Sequence, residues 1–332
     1  MTNGQKSDIK KVNEKTIDAY SDFGGLIKHT ARCLLWLPEA RALKQEGNRC
    51  LRYFTLPGKW AWDIFFFEKE GIIQKDTRGF PEVRFCDNNS KSYSDAKRLL
   101  GNTIGKKENF ERLVLNEQKE FWDGFPYDIY NLDFCGTCFP DNQPPFSETF
   151  QAIEKIIEKH VEGNHFPFVI FLTMKAYDGE TNPQAKEQLI QNIETNRVNT
   201  SLAQQIATII PNTQDFVTQN FTDFIVISVP KIICHLAERH CDLDVGSRAK
   251  YLRSNDEIGN FFITKFVFKF SRRKQSHLAV MNQNYINNIL NIMRLDNVIT
   301  IDNNSITQDI RRSGDELKQY IQQINQNPLE SQ

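Results

Sequence analysis

A chain of 332 residues, 39% hydrophobic and 25% charged, has the composition of a soluble globular protein. Its length suits one large α/β domain with embellishments or two smaller domains. A net charge of −1 excludes the global basicity of a nucleic-acid coat protein, so any nucleic-acid contact falls to local patches.

The first fifteen residues are polar and lysine-bearing and lack the apolar core of a secretory signal. No apolar run approaches the ~20 residues that span a bilayer. Seven cysteines, an odd number without an export signal, indicate reduced thiols. A cytoplasmic protein without membrane attachment is the expectation. No internal repeat is present.

Leu26, Ile27, Ala31, Leu34, Leu35 and Leu37 recur at helical spacing, and Pro38 marks a break or a new helix. Residues 1–50 therefore read as a helical extension. Tyr53 to Phe65 holds a short strand and a turn at Pro57-Gly58. Glu82–Cys86 reads as a second strand ending in Asp87-Asn88-Asn89, and Tyr93–Leu100 as a helix. Arg112–Glu117 reads as a third strand with polar residues Asn116 and Glu117 at its end. Tyr127–Asp133 is a buried strand with apolar residues on both faces, as in a covered parallel sheet. Ser147 is a good helix cap, and Phe150, Ile153, Ile157 and His160 follow at helical spacing. His160 there suits a helix C-terminus. Phe166–Met174 is the clearest strand. These two strands and the intervening helix predict a right-handed parallel crossover.

Pro183–Ile210 reads as helical, and Phe221–Pro230 is a further apolar run. Asn260–Phe270 alternates as a strand, with Tyr251–Arg253 expected to pair with it. Residues 51–270 thus form the main domain. Residues 271–332 read as an appendage: a helix through Ile286–Met293, a strand at Val298–Ile301, a last helix and a frayed tail.

Asp133-Phe134-Cys135-Gly136 is similar to the Asp-Pro-Phe-Gly segment after the fourth strand of class I S-adenosylmethionine-dependent methyltransferases, above all those that modify nucleic-acid bases. The resemblance spans roughly residues 50 to 270, including the late antiparallel pair. It implies a Rossmann-like doubly wound α/β fold with S-adenosylmethionine as cofactor and DNA or RNA as partner. By resemblance, Pro57 and Gly58 form the cofactor turn, Asp87 holds the ribose hydroxyls, and Asn116 and Glu117 lie near the adenine. Asp133 accepts a hydrogen bond from the target amine, and Phe134 stacks on the base. Gly58 stands alone where the family has Gly-x-Gly, and Cys135 stands where it has proline.

The lone glycine keeps a second reading open: a degenerate methyltransferase-like fold serving as sensor or scaffold with a protein partner, as in a bacterial defence complex. Cys135 and Cys138 have the spacing of a redox dithiol or half a zinc site, with Cys234–Cys241 as the other half. Small buried thiols explain the same residues. Lys265, Lys269, Arg272, Arg273 and Lys274 suit phosphate contacts or a lysine-protected edge strand. No phosphate loop or nucleophile elbow is present.

Overall fold

From Tyr53 onward, aromatic and aliphatic strand runs alternate with helix-periodic stretches. Such a chain lays its strands parallel, with a helix in each crossover. The computed structural model describes residues 24–326 except 78, 80, 102, 135, 140–146, 199, 256–258 and 274–277. Before the first strand come α1 (Gly24–Ala31), a π turn (Arg32–Trp36) and α2 (Leu37–Gly47). The parallel half holds β1 (Tyr53–Thr55), α3 (Trp62–Lys69), β2 (Val83–Cys86), α4 (Ser90–Leu100) and β3 (Ile104–Lys106). It continues with α5 (Phe110–Leu115), α6 (Lys119–Trp122), β4 (Ile129–Asp133), α7 (Glu148–Gly163) and β5 (Phe168–Ala176). Next come α8 (Pro183–Thr195), α9 (Thr200–Ile209), α10 (Thr213–Gln219) and α11 (Phe221–Glu238). The chain closes with β6 (Asp242–Asn255), β7 (Gly259–Ser271), α12 (Leu278–Met293), β8 (Val298–Thr300) and α13 (Gln308–Gln326).

One sheet takes up all of these strands in the order β3-β2-β1-β4-β5-β7-β6-β8. β1 to β5 are parallel, while β7 runs antiparallel to both β5 and β6. The fold is Rossmann-like and mostly parallel. The expected crossover is present: Ile129 to Asp133 pair in register with Val169 to Thr173, joined by α7, whose cap Ser147 accepts the Thr149 N–H. The strand expected at 112–117 is instead the helix α5 with its C-terminal turn. Phe110, Leu113 and Val114 bury one helical face there, and so short an apolar run does not distinguish helix from strand. The third strand is Ile104–Lys106, whose Ile-Gly-Lys carries little strand signal. Nor is β7 an edge strand, since β5 and β6 flank it. The C-terminal segment joins the same body: β8 pairs with β6, and Leu317 and Ile321 of α13 enter the core.

Side chains alternate across the sheet, dividing the core in two. Tyr130, Leu132, Ile170, Leu172, Phe266 and Phe268 face α5, α7, α8 and α11. Ile129, Val169, Phe171, Val267 and Tyr251 face α1 to α4 and α13. The most apolar long helix, α11, is a core helix with Phe224 to Val229 buried. Among the described residues, no single helix is long and apolar enough to cross a membrane.

His160 belongs to the first of these cores. Its Nδ1 lies 2.6 Å from the His165 carbonyl and its Nε2 2.8 Å from the Tyr130 hydroxyl. A carbonyl only accepts, so Nδ1 carries the proton and Tyr130 donates to Nε2. Its ring stacks on Phe168 at 3.7 Å. Burial lowers its pKa to about 3. The neutral ring therefore contributes stability that is present above the ordinary histidine value and lost as pH falls toward about 3. His29, buried and lowered to about 3, titrates in the same window. In denaturant titrations, His160→Phe should make the acid-side fall in stability shallower below about pH 6.5; an unchanged slope would remove His160 from it.

Candidate functional site

In an open parallel sheet, ligands bind beyond the carboxyl ends of the strands where the order reverses. Here that point lies between β1 and β4. The segments that follow β1, β2 and β4 hold Pro57 and Gly58, Asp87, and Phe134, respectively, with Asp133 as the last residue of β4. Because these strands are parallel neighbours, Gly58, Asp87 and Asp133 stand along one edge of the sheet.

Gly58 adopts φ +62°, a conformation open to glycine at little cost, and a Cβ there would meet open space. Asp87 is half-buried and accepts the Asn89 N–H at 2.8 Å. Burial raises its pKa, partly offset by that hydrogen bond. Asn116 and Glu117 lie elsewhere. They follow α5, whose C-terminal end the crossover carries away from this edge. Both are exposed, and Glu117 pairs with Lys155 of α7 at 2.9 Å. Their expected place beside the adenine rested on the strand that proves to be a helix.

Asp133 and Phe134, adjacent in sequence, turn to opposite faces. Phe134 packs with the α5 and α7 core, 6.2 Å from Phe110. Asp133 turns to the other face, where α1 and the π turn cover it. Its carboxylate is 7% exposed and lies 2.6 Å from the Lys28 ammonium. Burial works to raise its pKa, but Lys28, Lys265 and Arg32 outweigh that and hold it below the usual carboxylate range.

The covering segment owes its shape to Pro38. Proline has no N–H to continue a helix. Just before it the chain shifts register, and the Leu37 N–H reaches back to the Arg32 carbonyl. Arg32, Leu35 and Trp36, at helical i, i+3 and i+4 spacing, are buried together against the sheet. Trp36 stacks on Phe171 at 5.2 Å. The Lys265 ammonium sits 4.2 Å from the Trp36 ring centre and donates to Thr173 Oγ1 at 2.8 Å. Lys265 is fully buried, and burial drives its pKa well down despite the nearby Asp133.

Beside this cluster lies a second buried acid, Asp63, in the first turn of α3. One of its oxygens accepts from Tyr53 at 2.6 Å, Thr55 at 2.5 Å and Asn131 at 2.8 Å. These bonds tie α3 to β1 and β4 directly under the turn at Gly58. Asp63, Thr55, Asn131, Lys28, Arg32 and Lys265 carry no motif, and sequence patterning did not select them for this face. Lys265 was read with its basic neighbours as a phosphate contact or an edge-strand lysine, and it is instead buried within the sheet. Of its basic neighbours, Lys269 pairs with Asp244 at 2.7 Å, and Arg273 donates to the carbonyls of Glu238 and Cys241. Cys135 lies outside the described residues. Cys138, Cys234 and Cys241 are buried, and burial raises their thiol pKa values, as expected of inert core thiols.

A family model matches residues 27–224, well over half the chain. The chain belongs to the PP_RS20740-like family. In this PP_RS20740-like chain the match takes in the α1 cover, β1 to β5 and both buried acids, and ends within α11 before Lys265. None of the curated proteins compared is similar to it.

Asp133→Ala leaves Lys28 without its ion-pair partner beside the buried Arg32 and should cost about 3–5 kcal/mol, read as a fall in unfolding free energy. Between wild type and Asp133→Asn, the stability gap should hold from neutral pH to about pH 4 and shrink below it. That sign follows from the lowered pKa in the folded state. Asp63→Ala strands three buried donors and should cost on the order of 3 kcal/mol; a loss near zero would mean that the donors find other acceptors.

Proposed function

We propose that the chain binds S-adenosylmethionine along the edge formed by the carboxyl ends of β1, β2 and β4 and transfers its methyl group to a nucleic-acid base. The observation that carries this reading is the strand order, which reverses between β1 and β4 with an acid at the end of β2. A reversed β7 beside β5 agrees with the late antiparallel pair of the class I methyltransferases that the Asp133 segment resembles. When bound, the cofactor supplies a methyl group on a sulfonium, whose transfer needs mainly alignment of the acceptor atom.

The described residues fit the nucleoside end. The Asp87 carboxylate makes one backbone hydrogen bond and retains acceptor capacity for ribose hydroxyls. Gly58, with open space around it, allows close backbone approach. Asp133 fits the acceptor role only if Lys28 withdraws, because the ammonium already occupies that carboxylate.

That same ion pair favours a second reading. A carboxylate held by its own chain suits a fold that keeps its shape and has lost its reaction, acting as a sensor or scaffold for a protein partner. Calorimetry with S-adenosylmethionine and S-adenosylhomocysteine separates the two. Saturable binding is expected, and Asp87→Ala should weaken it by about 1–3 kcal/mol. Labelled methyl should also enter mixed DNA or RNA. Absence of cofactor binding would hand the chain to the scaffold reading, and binding without incorporation into nucleic acid would move the substrate to another class.

A further inference from the structure

Glu154 and Glu158 stand four residues apart on α7 and so share one side of the helix. Its inner face is apolar, with Ile153, Ile156 and Ile157 in the core, while Glu154 is half-buried and Glu158 exposed. Like charges at this spacing repel, and a lysine one turn away commonly relieves them. Both lysines of α7 are committed elsewhere. Lys155 pairs with Glu117 at 2.9 Å, and Lys159 with Glu162 at 2.8 Å. Among the described residues, Glu154 takes no hydrogen bond and no ion pair.

The end of α11 packs against this helix, with Ile233, Leu236 and Ala237 in the same core as Ile153 and Ile157. The turn that follows is well fixed. The His240 and Cys241 N–H groups both reach the Ala237 carbonyl, at 2.9 and 3.0 Å. Arg273 donates to the Glu238 and Cys241 carbonyls on either side of His240. That turn presents the half-buried imidazole to the two acids, its Nε2 3.9 Å from Glu158 Oε1. One ligand atom from each of the three residues lies within 4.8 Å of the other two.

Two carboxylates alone attract any cation. A neutral imidazole beside them adds a nitrogen donor that first-row transition ions accept readily and that Mg²⁺ and Ca²⁺ do not favour. We infer that Glu154, Glu158 and His240 form a binding site for a divalent first-row transition ion of the Mn²⁺ or Zn²⁺ type. Ligands of one such ion stand about 3–3.5 Å apart, given bond lengths of about 2.0–2.2 Å. Small rotations of the two glutamate side chains close the difference. Three protein ligands leave further coordination positions to water, and the ion ties α7 to the turn between α11 and β6. The site lies in the helical layer over the first core, apart from the strand edge of Gly58 and Asp87. The inference stands without the methyl-transfer reading.

The test is titration of the full chain, freed of metal by a chelator and dialysed, with Mn²⁺, read by loss of the free-ion electron paramagnetic resonance signal. Mn²⁺ is the probe because it prefers oxygen donors to thiolates, which keeps the seven cysteines out of the measurement. Saturable binding of one ion per chain is expected, with Zn²⁺ competing and Mg²⁺ and Ca²⁺ clearly weaker. His240→Ala and Glu154→Gln should each weaken Mn²⁺ binding by about tenfold or more. Melting curves establish that the variants fold, and saturating Mn²⁺ should raise the melting temperature of the wild type but not of His240→Ala. Glu162→Gln removes an equal charge one turn farther along α7 and should leave the affinity unchanged. No stoichiometric binding at millimolar Mn²⁺ overturns the inference and reduces the cluster to a surface ion pair. Equal weakening by Glu162→Gln and Glu154→Gln also overturns it, as the mark of diffuse attraction. So does Mg²⁺ binding as tight as that of Mn²⁺, which would leave His240 without a role.

Discussion

A charge buried between a sheet and its covering helices must find its opposite there, or the fold loses several kcal/mol. This constraint shapes the upper half of the protein on one face. Asp133 ends a strand beneath a helix, and the helix supplies Lys28. Asp63 begins a helix above two strands, and the strands supply Tyr53, Thr55 and Asn131. Each acid joins one layer to the other. The opposite face carries a largely apolar core, and the charges buried there, Lys231 and Arg248, donate to carbonyl oxygens instead of acids.

The parallel half was legible because it repeats one rule. Apolar strand runs at 127–133 and 166–174 flank a capped amphipathic helix, and that geometry leaves a parallel crossover. The reading failed where the local signal was weakest. Arg112–Glu117 has the apolar density of a strand, but Phe110, placed just before it, completes a helical face. Ile104–Lys106 owes its strand state to pairing with β2, a tertiary cause without a local trace. Asp87 was readable as an acid after a strand. The state of Asp133 was not, since its partner lies more than a hundred residues earlier and arrives only when the sheet is covered. The burial of Lys265 was hidden by the same logic: alternation shows which residues share a face, and neighbouring strands decide which face meets water.

The π turn connects these observations. Pro38 interrupts the helix, the register slips, and Arg32 and Trp36 come to bear on the sheet together. Arg32 and Trp36, four residues apart, share a face as they would in a regular helix, so the register slip leaves that pairing intact while Pro38 restarts the helix beyond it. Pro38 is exposed, yet it bears on how the Asp133 face is closed.

The position of β7 bears on how the chain can be divided. β5 is buried along all nine of its residues, with Phe168, Ile170 and Leu172 on one face and Val169 and Phe171 on the other. β7 pairs with it from Phe168 to Ala176 but is made more than eighty residues later, beyond the residues that the family model matches. Until β7 arrives, β5 is an open, flat, apolar edge, the kind that recruits strands from other molecules. A fragment ending at residue 224 would carry that edge permanently and self-associate through it. During synthesis the helices α8 to α11 emerge in the interval, so shielding a half-finished sheet from its neighbours falls to them before the last strands close it.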